Sequence, residues 1–107
     1  MKRVLFDHCT PKPPRGHLAG YEIRTCFEES WAALRNGELL AAADAAQFDI
    51  FITADRNLRY QQNLGSRRVA IVELPTNRLA LIESLVPAIQ QALASATSGS
   101  YQSVQFP

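Results

Sequence analysis

The chain has 107 residues, 47% hydrophobic and 20% charged, with eleven Lys and Arg against ten Asp and Glu for a net charge of +1. That length makes one domain with enough core to fold without staples, and its apolar content excludes disorder over most of the chain. The near-neutral balance excludes a generally polybasic nucleic-acid binder, while leaving room for a local basic patch.

No apolar run approaches the roughly 20 residues that span a bilayer. The opening Met1 to Asp7 lacks the apolar stretch of a signal peptide, so a cytoplasmic protein without membrane contact is expected. Nine of the eleven basic residues are Arg, which suits phosphate recognition but equally suits a GC-rich coding bias. Cys9 and Cys26 stand without CxxC spacing, so neither a disulfide framework nor a zinc site follows from them.

Lys2 to Phe6 reads as a short buried strand ending at Asp7. The prolines at 11, 13 and 14 make a loop of the next residues, and a short helix is expected from Pro13 or Pro14 to Gly20. Tyr21 to Cys26 alternates as a half-buried or edge strand does. Glu28 to Leu34 suggests a turn of helix. After the Asn36-Gly37 break, with Asn36 as N-cap, Glu38 to Ala46 is built of strong helix formers.

Phe48 to Thr53 is a second buried strand, followed by a helix from Asn57 to Leu64. Arg68 to Leu74 is a third buried strand, stopped by Pro75. Asn77 to Leu93 carries the clearest helical stripe, Ile82, Leu85, Val86, Ile89 and Leu93, with Pro87 expected to kink or split it. The residues from Ser95 to Pro107 are small and polar, which predicts a disordered tail or an arm docking on a second subunit of a homodimer. This order implies a three-layer α/β/α sandwich over residues 1–94, on a mainly parallel four-stranded sheet in which the first and third strands are neighbours if the order is 2-1-3-4.

In such sheets ligands bind at the carboxyl ends of the strands. Asp7 and Asp55 follow two of the buried strands there, and Glu38 opens the helix before the third strand. Carboxylates gathered at one rim repel, and a divalent cation relieves that repulsion. With hard oxygen donors and no Cys or His cluster, the cation expected is Mg²⁺ or Mn²⁺ rather than zinc. Such an ion activates water and clamps a phosphodiester. The competing reading is structural, since Asp caps helices and Glu in a first turn favours the macrodipole.

Around these acids, Lys12, Arg15, Arg56 and Arg59 are candidates for meeting phosphates, though a solvated surface charge is the commoner fate of any one of them. Tyr60 and Trp31 offer stacking faces for bases, with Trp31 more naturally in the core. His8, next to Asp7, reads as a general base or as a loop or supporting residue, and His17 as a helix surface residue. Glu73 is either a rim acid or a strand-terminal residue. Arg67 and Arg68 lie at the opposite edge.

The segments Val4-Leu5-Phe6-Asp7, Asn36-Gly37-Glu38-Leu39-Leu40 and Phe51-Ile52-Thr53-Ala54-Asp55-Arg56-Asn57 together resemble a compact bacterial PIN-like family. The resemblance runs from about Met1 to Leu93 and rests on the order and spacing of short motifs. It implies a Mg²⁺/Mn²⁺-dependent ribonuclease, in many cases the toxin of a toxin–antitoxin pair, held in check by a cognate antitoxin protein. On this likeness Asp7, Glu38 and Asp55 match the metal-binding acids, and Thr53 the small polar residue beside the last of them. Two positions depart from the pattern: Asn57 stands where many members carry a fourth acid, and His8 where an acid is more common. Those departures keep a second class in play, a non-catalytic PIN-like module that binds protein or RNA. A simple phosphate or nucleotide binder is disfavoured because no Gly-rich loop follows Asp7.

Overall fold

A continuous apolar run predicts a strand covered on both faces, and the sheet is built that way at its centre. The computed structural model describes residues 2–8, 10–11, 18–34, 36–54 and 67–106. Its strands are β1 (Lys2–Phe6), β2 (Tyr21–Thr25), β3 (Ile50–Thr53), β4 (Ala70–Glu73) and β5 (Tyr101–Ser103). The described helices are α1 (Asn36–Ala45), α2 (Leu79–Ser84) and α3 (Val86–Ser95). All strand pairings are parallel, in the order β2-β1-β3-β4-β5.

Successive side chains of a strand point to opposite faces, and this alternation sorts the core into two layers. Val4, Phe6, Ile50, Ile52 and Val72 face α2 and α3 through Ile82, Leu85, Ile89 and Leu93. Leu5, Phe51 and Ile71 face α1 through Leu39, Leu40 and Ala43. The result is an α/β/α arrangement in which β3 and β4 are buried at every position. Each large apolar side chain fully buried there, such as Phe51, contributes roughly 1.5–3 kcal/mol.

The helical stripe breaks where Pro87 requires. The last helix is split at Leu85, with Pro87 in the first turn of α3, where its missing N–H costs nothing. Glu28 to Leu34 forms turns rather than helix. Leu18 to Gly20 also forms a turn, ending at a φ of +94° at Gly20. The remainder of the helix expected before Gly20, that expected from Asn57 to Leu64, and the Asn36 cap lie outside the described residues and side chains.

The largest departure is at the C-terminal end. The sheet has five strands rather than four, because part of the segment read as a tail pairs with β4 of its own chain. Ile71 N–H donates to the Ser100 carbonyl at 2.9 Å, and Val104 N–H to the Glu73 carbonyl at 2.8 Å. Val104 is 7% exposed and joins the core. Composition pointed the wrong way here because a three-residue edge strand needs only backbone partners and one apolar anchor. Trp31 is half-buried and meets Phe48 edge to face, with centroids 6.0 Å apart, so it lies against the core. No helix among the described residues is long and apolar enough to cross a membrane.

Candidate functional site

Parallel pairing brings together residues that follow different strands. Phe6 is in register with Thr25 and with Ile52, and Thr53 with Glu73. One step further along, on the α1 face, Cys26, Asp7, Thr53 and Glu73 therefore make a row across β2, β1, β3 and β4 at their carboxyl ends. Asp7 N–H donates to the Ile52 carbonyl at 2.9 Å, which carries the β1–β3 pairing up to the acid itself. The loop beyond Asp7 is tied to the exit of β3, since Ala54 N–H donates to the Thr10 hydroxyl at 3.0 Å.

The Asp7 carboxylate is half-buried and accepts two hydrogen bonds. Thr53, fully buried, donates its hydroxyl to Oδ2 at 2.8 Å, and the His8 N–H donates to Oδ1 at the same distance. These donors fix the direction in which the remaining lone pairs point. His8 is exposed, and its Nε2 lies 2.7 Å from the Leu34 carbonyl. A carbonyl only accepts, so Nε2 is the donor in this contact and Nδ1 is the ring nitrogen left for another partner.

Cys26 is 1% exposed, and its thiol donates to the Phe6 carbonyl at 3.2 Å. Burial, reinforced by the Asp7 carboxylate, pushes the thiol up to about 12, so in this structure it is a neutral thiol. The turn after Cys26 is pinned at both ends. Thr25 N–H donates to Glu28 Oε1 at 2.9 Å, Glu28 N–H to the Thr25 hydroxyl at 3.2 Å, and Trp31 N–H to the Cys26 carbonyl at 2.8 Å. That turn holds Phe27 out at 83% exposure. An open cavity of about 420 Å³ lies between it and Asp7, with His8, Thr10 and Cys26 on its wall.

Of the residues singled out in the sequence, Asp7 and Thr53 are brought into direct contact. Glu38 is exposed in the first turn of α1. The run of α1 into β3 puts that turn at the carboxyl edge, and the Leu34–His8 bond ties the preceding segment there. Asp55, Asn57, Lys12, Arg15, Arg56 and Arg59 lie outside the described residues. Arg68 is on the wall of a second cavity, of about 380 Å³, with Lys2, Asp44 and Asp49. There Asp44 Oδ1 accepts from the N–H groups of Arg68 and Val69, and Asp49 Oδ2 from that of Arg3, so both carboxylates anchor strand entries.

Two further residues take on contacts that chain order does not announce. Glu73 is 7% exposed and accepts from the Tyr101 hydroxyl at 3.2 Å, a partner that exists only because β5 docks. Cys26 corrects a premise of the metal choice. Potential ligand atoms of Asp7, His8 and Cys26 all lie within 4.8 Å of one another, so nitrogen and sulfur donors do gather at this rim. Spacing in the chain hid this, because the contact comes from strand pairing nineteen residues apart.

As a fit to a hard divalent cation, Asp7 qualifies: it is charged, half-buried, oriented by two donors and open to the cavity. Glu38 brings a second carboxylate to the same edge. Comparison of the chain with protein-family models, with curated proteins and with solved structures gave no match.

Proposed function

We propose that this protein is a Mg²⁺- or Mn²⁺-dependent endoribonuclease of PIN-like type, the toxin of a toxin–antitoxin pair, acting in the cytoplasm and restrained by a cognate antitoxin protein. The observation that supports it most is the contact between Asp7 and Thr53 at the carboxyl ends of the two neighbouring strands β1 and β3. A buried hydroxyl that orients an ionised carboxylate at an open rim is a costly arrangement for a helix cap and a useful one for a metal ligand. The PIN-like resemblance supports the same residues.

In this reading Asp7, Glu38 and Asp55 hold the cation. When bound, it supplies Lewis acidity and a water of lowered pKa for attack on the phosphodiester. Thr53 keeps Asp7 in one rotamer, and Asn57 offers a neutral carbonyl oxygen where a fourth carboxylate would add charge. Lys12, Arg15, Arg56 and Arg59 meet RNA phosphates and set the register of the strand on the rim. Asn57, with one negative charge fewer, also favours a second reading, the non-catalytic module that binds protein or RNA.

The test is calorimetric titration of Mn²⁺ into wild type, Asp7→Asn and Asp55→Asn, followed by cleavage of a mixed RNA substrate with and without Mn²⁺. Binding and cleavage in wild type, both lost in the two variants, support the nuclease. Mn²⁺ binding without cleavage selects the module, and no Mn²⁺ binding in wild type sinks the metal site.

A further inference from the structure

We propose that Asp7, His8 and Cys26 form a zinc site, with Zn²⁺ held by Asp7 Oδ, His8 Nδ1 and Cys26 Sγ and a fourth position open to the cavity. The site shares Asp7 with the nuclease reading but does not depend on it, since neither Glu38 nor Asp55 takes part.

The donor set is the first argument. Nitrogen, sulfur and carboxylate oxygen together suit a borderline-soft cation of tetrahedral preference, and not Mg²⁺ or Mn²⁺, which take oxygen. Geometry is the second. With Zn–S near 2.3 Å and Zn–N or Zn–O near 2.1 Å, ligand atoms on one tetrahedral ion stand about 3.4–3.7 Å apart. One ligand atom from each of the three residues already lies within 4.8 Å of the other two, so side-chain adjustments of about 1 Å bring the set to the metal.

Both His8 and Asp7 are also oriented from outside the cluster. Metal-bound His usually donates its other ring N–H to a backbone carbonyl or carboxylate, which fixes the tautomer. His8 Nε2 stands 2.7 Å from the Leu34 carbonyl, and Asp7 is held likewise by Thr53. The backbone is equally well placed. Cys26 and Asp7 follow registered strands, and the pinned turn from Thr25 to Trp31 fixes the thiol at the cavity wall.

Charge balances as well. One carboxylate and one thiolate neutralise Zn²⁺, the thiol proton passes to solvent, and the bond from the thiol to the Phe6 carbonyl is exchanged for the bond to the metal. Three protein ligands with one water is the pattern of an open site rather than a closed structural one.

Cobalt(II) replaces zinc in such sites and reports sulfur ligation by a near-ultraviolet charge-transfer band. The experiment titrates Co²⁺, then Zn²⁺ in competition, into full-length Cys9→Ser protein, in which Cys26 is the one remaining thiol. The expected result is one equivalent of Co²⁺ with a thiolate band that Zn²⁺ erases. Cys26→Ser in that background should lose the band, and His8→Gln should weaken zinc binding by more than about 100-fold, beyond the usual effect of losing a supporting residue.

Glu38→Gln should leave both signals unchanged, which separates this site from the carboxylate set. Absence of the thiolate band in folded Cys9→Ser protein overturns the proposal, as does zinc affinity that depends on Glu38 rather than on Cys26. Circular dichroism of each variant confirms that the sheet is intact. Should Cys26→Ser fail to fold, the band in Cys9→Ser and its loss in His8→Gln decide the matter alone.

Discussion

Thr53 and Asp7, forty-six residues apart, are joined by a 2.8 Å hydrogen bond between the ends of two adjacent parallel strands. The donor is fully buried and the acceptor half-buried, so the bond forms where water competes poorly. It locks the rotamer of an acid that is the common member of both proposed metal sets.

Removing the hydroxyl while keeping the shape should therefore weaken the fold. Thr53→Val is expected to cost about 1.5–3 kcal/mol, the range for a hydrogen bond to a charged group. Thr53→Ser should recover most of it. Urea denaturation of the three proteins measures this directly, and an unchanged midpoint in Thr53→Val would deny the bond any energetic weight.

A cation that binds the folded protein stabilises it by mass action. At one hundred times its dissociation constant, Mn²⁺ should add about 2.7 kcal/mol. Scanning calorimetry with and without Mn²⁺ should show a rise in Tm for wild type that is lost in Asp7→Asn and reduced in Glu38→Gln. Equal shifts in all three proteins would place Mn²⁺ elsewhere on the surface.

Cys26 makes stability depend on alkali. Burial first, and the Asp7 carboxylate second, raise its thiol from 9.0 to about 12. Because the folded value is the higher one, the neutral thiol is favoured by folding. Its contribution is complete below pH 9 and is lost as pH climbs from there toward about 12. Metal-free protein should lose stability faster over that interval than Cys26→Ala does, as followed by urea midpoints at stepped pH. Parallel slopes for the two proteins would count against a buried thiol.

Docking of β5 requires a backbone that only glycine adopts readily. Gly99 has φ +75°, and a Cβ there would stand 2.8 Å from the Arg67 carbonyl oxygen. Gly99→Ala should cost about 1–3 kcal/mol and loosen the edge of the sheet. Amide exchange at Ile71 and Val104, whose N–H groups donate to Ser100 and Glu73, would then speed up. Slow exchange at both in the variant would show that the turn tolerates the side chain.

Tyr101→Phe probes the same edge through its side chain. It removes the donor to the buried Glu73 carboxylate and should cost about 1–3 kcal/mol. The measurement is a denaturation midpoint, with Tyr101→Leu as a variant that also loses the ring. Equal stability of wild type and Tyr101→Phe would mean that Glu73 finds another donor.

Much of this architecture could be read along the chain, because burial on both faces leaves a local mark. Val4-Leu5-Phe6, Phe51-Ile52 and Ile71-Val72 are uninterrupted apolar pairs or triplets, and each lies in a strand. Pro87 announced the split between α2 and α3 because its ring excludes it from a helix interior but not from a first turn. The acid at the end of β1 and the hydroxyl at the end of β3 were legible for the same reason, since each closes an apolar run.

What stayed hidden depends on pairing rather than on pattern. Cys26 closes a half-polar edge strand and carries no spacing signal, yet the parallel register of β2 with β1 sets it beside Asp7 and His8. Tyr101 to Ser103 has no apolar periodicity, and it is a strand because β4 offers an unpaired edge. By itself, then, the sequence determined the layered α/β class and the acid at the end of the first strand, which follow from local hydrophobic period and chain direction. Only the tertiary structure decided which donors surround that acid and that the sheet gains a fifth strand, because backbone hydrogen bonds between strands are blind to the side chains they align.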